Sequence, residues 1–392
     1  MKSPQPAFFI LIALIGGLAI FSSTLSKTPV LPLFALALHA SPSEIGWIVM
    51  ASTLPGILIS FPAGALSDYL GKRRLLLAAL VIFASAPFLY LVVSNAWQLM
   101  AVRFYHGFAT AIFGTVVTAA IAARYTADRA AKLSIYSSIT IVGRSLAPFL
   151  GGFLISLASF QAVYIACAIS GVLALGGGLL LRDDAPRAAT RLQLPPFWSS
   201  LKTVLRDRGI MLVSLIEAAQ YLVFGAIEAF LALYAAALGI PAWQIGVILG
   251  VQLLSIVFAK PLMGKISDRV GRKQIILPGL LIGAVSIALL PFATSVIALS
   301  MLSLTFGLGF AAVTSSTAAL VADLTQDNRY GSSMGVLRTI MDIGQSIGPV
   351  LTGWMVGYAG YGSAFTLLAG ILLAAALLLG LRFTPKTGAQ QA

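Results

Sequence analysis

Lys27, Arg103, Arg144, Glu217, Glu228, Lys260, Arg338 and Asp342 all stand inside long apolar stretches of the chain. An Asp, Lys or Arg at the centre of a bilayer-spanning helix costs about 2.5–3.5 kcal/mol on insertion scales. Such groups must therefore pair with one another or line a wet cavity. The chemistry open to them is proton exchange. Burial favours the neutral form of a carboxyl group, and a neighbouring cation favours the carboxylate. An acid that alternates between a cationic partner and open water can bind and release a proton, as Glu228 would with Lys27: the position 200 residues before Glu228 is Thr28, next to Lys27. Glu228 and Asp342 lead as proton carriers, with Glu217 third, and a permanent structural ion pair is the alternative for each.

Spacing groups these residues. Glu217 and Glu228 are about three helical turns apart and share a face with Tyr221 and Phe224. Arg338, Asp342, Gln345 and Pro349 form a second stripe, and Ser23 and Lys27 a third within the polar run Ser22 to Thr28. Arg144 and Asp342 fall at nearly matching positions of an internal repeat described below and form a plausible pair. The three acids all lie in the C-terminal half, whereas Lys27, Arg103 and Arg144 lie in the N-terminal half.

Other chemistry finds little support. His39 and His106 are far apart, and Cys167 is a lone thiol in an apolar run. They give no nucleophile–base pair, metal set or disulfide. No G-x-x-x-x-G-K-[ST] loop occurs to hold a nucleoside triphosphate. No cofactor or metal is expected, and a polytopic membrane enzyme is left as the reading of a different class.

The elements that must position these groups are helices. Apolar residues make up 59% of the 392-residue chain and charged residues 9%, with a mean hydropathy of +0.98. A soluble domain has about 25% charged residues. Apolar runs near 8–36, 44–66, 74–93, 97–123, 131–157 and 160–181 are each long enough to cross a bilayer. Further runs follow near 209–238, 241–265, 274–293, 295–323, 330–357 and 360–382. The first is too long for a signal peptide and lacks a small-residue cleavage pattern.

These runs predict an all-α membrane protein of twelve spans in two six-helix bundles. Residues 1–183 and 209–392 form the bundles, joined by a polar linker at 184–208. Within the linker Phe197, Trp198, Leu201, Val204 and Leu205 can share one face of a short helix on the membrane surface, and a plain linker fits equally well.

The basic residues sort to one side. Twenty of the 25 fall before the first span or in alternate loops and the C-terminal tail, while the opposite loops, including the one holding His39 and Glu44, carry none. The positive-inside rule then puts both termini in the cytoplasm of a bacterial-type inner membrane. The net charge of +13 lies against anionic lipid headgroups and requires no nucleic acid.

A repeat runs through the chain. Gly64, Ser67, Asp68, Gly71 and Lys72 recur as Gly264, Ser267, Asp268, Gly271 and Arg272, 200 residues on. Ile45-Gly46 recurs as Ile245-Gly246, and Pro148 as Pro349. An even number of spans per repeat preserves orientation, so a pseudo-twofold along the membrane normal would relate the halves and place a site near mid-membrane.

The stretch Gly64, Leu66, Asp68, Gly71, Lys72 and Arg73, with its echo from Gly264 to Lys273, resembles the signature loop of the major facilitator superfamily. Arg103, His106 and Gly107 resemble a second pattern of that family, with histidine where glutamine is usual. Gly143, Pro148, Gly151 and Gly152 resemble the span-five pattern of its drug:proton antiporters, though Ala147 replaces the usual glycine before proline. Span eleven carries Gly344, Gly348, Pro349 and Gly353.

The resemblance implies a cavity lined by spans one and seven, with Lys27, Ser23, Arg103, Arg144, Tyr221, Phe224 and Gln345 facing substrate. It implies a cytoplasmic gate of Gly64, Asp68, Gly71, Lys72, Arg73, Asp268 and Arg338, in which Asp68 latches to the start of span eleven when the cytoplasmic side is shut. Gly143, Pro148, Gly151, Gly152, Gly348 and Pro349 would form a hinge, since small residues allow close approach and proline frees backbone groups. The expected activity is export of a small amphipathic or drug-like molecule by a monomer, coupled to protons. The N-half cations leave open a second reading, proton-coupled uptake of a small organic anion.

Overall fold

The computed structural model describes residues 6–59, 70–126, 128–181, 206–325 and 330–382. The expectations that rest on Gly64, on Asp68 and on a surface helix around Phe197 to Leu205 lie outside them. Among the described residues the regular structure is entirely helical. We label the helices α1 (Pro6–Leu25), α2 (Val30–Ala37), α3 (Pro42–Ala51), α4 (Lys72–Tyr90), α5 (Ala96–Arg124), α6 (Arg129–Leu157) and α7 (Phe160–Leu179). Then come α8 (Arg208–Ala237), α9 (Ala242–Val270), α10 (Arg272–Leu289), α11 (Val296–Leu324) and α12 (Tyr330–Arg382). Eleven segments of the described chain are long and apolar enough to cross a membrane.

Two boundaries differ from the sequence reading, each for a physical reason. The first apolar run is broken between α1 and α2 by the turn at 26–29. Pro29 offers no N–H to the Leu25 carbonyl and disfavours helical geometry at Thr28. Lys27 N instead bonds Thr24 O at 3.0 Å. Lys27 therefore sits on a turn and not on one helical face with Ser23. The last two runs form α12, two helices that meet at a kink at Gly360 (φ 78°, ψ 175°), where the sequence reading placed their boundary. The echo of the signature loop is not a loop either: α9 stays helical through Val270, and Gly271 alone (φ 110°) makes the turn into α10.

The chain divides into two compact units, Met1–Gln193 with Glu228–Gly250, and Leu194–Ile227 with Val251–Ala392. In the first, α1 packs on α6 and α7, and α4 packs on α5 and α7. Its core is built from α1, α4 and α5, with Ile12, Ile15, Leu80, Phe83, Phe113, Val117 and Ile121 almost fully buried. Gly246 abuts the Pro148 carbonyl, Gly152 abuts Ala242, and Trp243 N donates to Ser156 Oγ at 2.9 Å. These contacts hold the start of α9 on α6. In the second unit α10 packs on α11 and α12, the same neighbours, one repeat later, that α4 has in α5 and α7.

The 200-residue repeat reaches the backbone. After α2, Leu38 N, His39 N and Ala40 N bond Phe34 O, Leu36 O and Ala35 O. After α8, Leu238 N, Gly239 N and Ile240 N bond Tyr234 O, Ala236 O and Ala235 O. Both ends use a left-handed residue, His39 at φ 59° and Gly239 at φ 78°, as a Schellman-type cap requires. Gly71 (φ 91°) and Gly271 make equivalent entries to α4 and α10. Close helix contacts recur as well: Gly107 abuts Ser52 O and Pro55, and Gly307 abuts Gln252 O and Ser255.

Candidate functional site

In the first unit, the turn after α1 and the final part of α8 bring two charges together. Lys27 Nζ lies 2.7 Å from Glu228 Oε2. Thr28 Oγ1 donates to the other carboxylate oxygen at 3.3 Å. The Glu228 side chain is 10% exposed and that of Lys27 26%, so the acid is enclosed and the base reaches toward the surface. The break in the helix makes this possible. Lys27 lies in the turn at 26–29, where its N–H bonds Thr24 O and its carbonyl accepts from Leu31 N, while Glu228 stands on an uninterrupted helix. Glu228 therefore keeps Thr28 as a partner if the ammonium leaves.

A second polar cluster in the same unit surrounds Arg103, which is 4% exposed. Arg103 donates from Nη1 to Tyr90 Oη at 3.2 Å, and Tyr90 Oη lies 3.2 Å from His106 Nδ1. The Tyr90 ring stacks on Tyr164 (centroids 4.6 Å apart, planes at 17°), and Phe83 meets His106 edge-on. Among the described residues no acid pairs with Arg103. Arg144, also expected at the cavity, is exposed and lies near Tyr136. Ser23 is half-buried, and its carbonyl accepts from Ser26 Oγ at 2.9 Å.

In the second unit, Glu217 is 3% exposed and bonds the Thr317 hydroxyl of α11, with Lys260 within electrostatic reach. Ser214, one turn away, is fully buried, as is Gln220. Further along α8, Tyr221 and Phe224 pack on Phe310 of α11, with centroids 5.0 and 4.5 Å from it. Asp342 is half-buried one turn from the exposed Arg338. Gly225 abuts the Gln345 backbone, Gly344 the Ala218 carbonyl and Gly348 the Leu222 carbonyl. No larger residue would fit these crossings of α8 and α12 without a shift.

The basic residues of the gate region have other partners. Arg73 donates to the carbonyls of Leu179 and Leu181 at the end of α7, and Lys273 to that of Gly380. Cations suit these helix C-termini, whose last carbonyls lack partners. Asp268 pairs with Arg272, which also bonds Asp323 at 2.9 Å.

The structure thus unites Lys27 with Glu228 and Arg103 with His106, while Glu217 meets a hydroxyl. Thr28, the repeat counterpart of Glu228, completes the first of these sites; Tyr90, Tyr164 and Thr317 complete the others and were not singled out from sequence. The run Thr314 to Thr317 inside an apolar span was a signal for the last. Tyr164 gave none.

A chain of apolar helices with charges enclosed among them is a membrane transporter in design, and the comparisons give its family. The Major Facilitator Superfamily profile matches residues 12–251 and 213–392. The chain belongs to that superfamily. It is 24% identical over 356 residues to an uncharacterised MFS-type transporter of Methanocaldococcus jannaschii, covering 88% of this chain and 92% of the other. It is 26% identical over 328 residues to quinolone resistance protein NorA of Staphylococcus aureus, covering 83% and 84%. Among solved structures, a variant of the nucleoside transporter NupG superposes with a TM-score of 0.85 at 14% identity, covering 96% of this chain and 100% of that one. A bacterial homologue of the lysosomal transporter Spinster gives 0.78 at 16% identity, covering 97% and 95%.

Proposed function

We propose that this protein is a secondary active transporter that exports a small amphipathic or drug-like molecule by alternating access, in exchange for protons. The observation that carries the coupling is the Lys27–Glu228 pair at 2.7 Å. A carboxylate held by a cation that stands on a helix break can exchange that cation for a proton without losing its Thr28 hydrogen bond. Glu217 and Asp342 are the further acids that can load a proton, and Tyr221, Phe224 and Gln345 contribute apolar and polar cavity wall. The similarity to NorA, a quinolone resistance protein, supports the export direction.

The topology we infer is twelve crossings with both termini cytoplasmic in an inner membrane. The 49-residue segment Ser333–Leu381 is about 74 Å of helix at 1.5 Å per residue, more than twice a hydrocarbon core of about 30 Å. Its break at Gly360 supplies the turn between two crossings. Trp47, Trp97 and Trp243 are exposed near the starts of α3, α5 and α9, opposite the basic loops, as an interfacial aromatic belt would be. Residues 1–183 and 209–392 serve as the two bundles, with a gate at Asp68, Gly71, Lys72, Asp268 and Arg338 and a hinge at Gly143, Pro148, Gly151, Gly152, Gly348 and Pro349.

The test is proton movement in proteoliposomes under an imposed pH gradient, with a panel of amphipathic solutes. Solute-driven proton flux should be present in the wild type and absent in Glu228→Gln. Normal coupling in both Glu228→Gln and Asp342→Asn would overturn the assignment. Proton-coupled uptake of an organic anion is the second reading, favoured by Arg103 having no acid partner among the described residues. Solutes bearing a carboxylate in the same panel separate the two.

A further inference from the structure

We infer that the buried cluster around Arg103 is a binding site for a small monovalent anion, a halide or a carboxylate group, held by Arg103 and Tyr164. A guanidinium carries five N–H donors and no acceptor. In Arg103 one of them reaches Tyr90, and the buried Nε has no hydrogen-bond partner among the described residues. The Tyr164 hydroxyl, on a residue 1% exposed, is also without one. Its ring is stacked on Tyr90, and its hydroxyl lies within electrostatic reach of the Arg103 charge.

The hydrogen-bond directions make the cluster donor-rich. With Arg103 donating to Tyr90 Oη, either His106 Nδ1–H also donates to that oxygen and leaves the phenol proton unused, or the Tyr90 proton points to His106 Nδ1; the second assignment gives both groups of that contact a matched role. His106 is then the tautomer protonated at Nε2, another buried donor without a partner. Donors in excess around a positive charge that no acid pairs with among the described residues are what a buried anion needs, and a buried charge is stable only when paired.

The repeat shows that the fold does not itself require this set. The Gly107 crossing with Ser52 recurs at Gly307 with Gln252, so the backbone framework is the same. In that second copy Arg103 is replaced by Ser303, His106 by Phe306 and Tyr90 by Leu290, all buried. Tyr164 becomes Phe365 at the 201-residue offset that Pro148 and Pro349 define, and Phe365 is fully buried. An equivalent six-helix framework is packed without any of the four polar groups. Their presence in the first half is therefore a specialisation for a ligand and not a need of packing.

The test uses the purified full-length transporter, equilibrated in a buffer whose only salt is a divalent sulfate, at fixed ionic strength, and titrated with chloride or acetate while thermal unfolding is followed. One of these anions should raise the melting temperature saturably in the wild type, and which one does names the source of the charge. Tyr164→Phe reproduces the counterpart residue and keeps the ring stack, so it should fold. Its half-maximal anion concentration should rise about tenfold, the weight of one hydrogen bond to a charged group. Arg103→Ser, the residue of the second copy, should abolish the response. No response to either anion in the wild type, or titrations of Tyr164→Phe and Arg103→Ser that match it, would overturn the site. The readout needs no transport, so it stands or falls apart from the proton-coupling assignment.

Discussion

Two glutamates on α8, about three turns apart, have different surroundings. Glu228 is held by an ammonium on a broken helix and by one hydroxyl. Glu217 is more deeply buried, bonded to Thr317 of an unbroken helix, with Lys260 as a more distant charge. Identical chemistry on one helix thus yields an ion pair in one place and a hydroxyl hydrogen bond in the other. The contrast teaches that the partner an acid meets is set by the element opposite it more than by the acid itself.

The largest effect should come from breaking the ion pair unevenly. Lys27→Met leaves the Glu228 carboxylate enclosed with a single hydroxyl and should lower stability by about 2–4 kcal/mol, measured by thermal unfolding in detergent. Adding Glu228→Gln should recover most of that loss. A double variant as unstable as the sum of the singles would show that the two residues do not interact.

Next in size are the helix crossings. Gly348→Val places side-chain atoms against the Leu222 carbonyl and should cost about 1–3 kcal/mol, with reduced yield in the membrane fraction. A smaller effect, of opposite sign, is expected at the repeat-related caps. His39→Gly relieves a left-handed non-glycine residue and should raise stability by about 1 kcal/mol, whereas Gly239→Ala should lower it by a similar amount. Smallest is Glu217→Gln, whose amide oxygen can still accept from Thr317. It should change stability by less than about 1 kcal/mol. Loss of proton coupling in this variant, with coupling intact in Glu228→Gln, would reverse the comparison.

Much of the fold was legible in the sequence because a bilayer imposes simple rules. Apolar length gave the helices, and the recurrence of Gly71 and Gly271 gave a repeat that the backbone follows down to its turn angles. The places that could not be read are specific. The run 8–36 looked continuous, yet Pro29 removes one donor and the helix breaks beneath Lys27. Gly264 to Asp268 matched a loop signature, yet glycine and polar residues continue α9, and only Gly271 with its positive φ makes the turn. Arg73 donates to the carbonyls at the end of α7, partners that no local pattern shows.

By itself the sequence determined that this is a polytopic membrane protein with charges enclosed in its spans, and which residues those charges are. That follows from transfer energetics, which depend on residue type and run length alone. The 200-residue offset already set Lys27 beside Glu228; tertiary structure decided the other partners, Thr317 with Glu217 and Tyr90 with Arg103 and not an acid. Those pairings depend on crossings such as Gly152 on Ala242 and Gly348 on Leu222, where the absence of a side chain sets which faces meet. No local pattern encodes them, because each joins residues far apart in the chain.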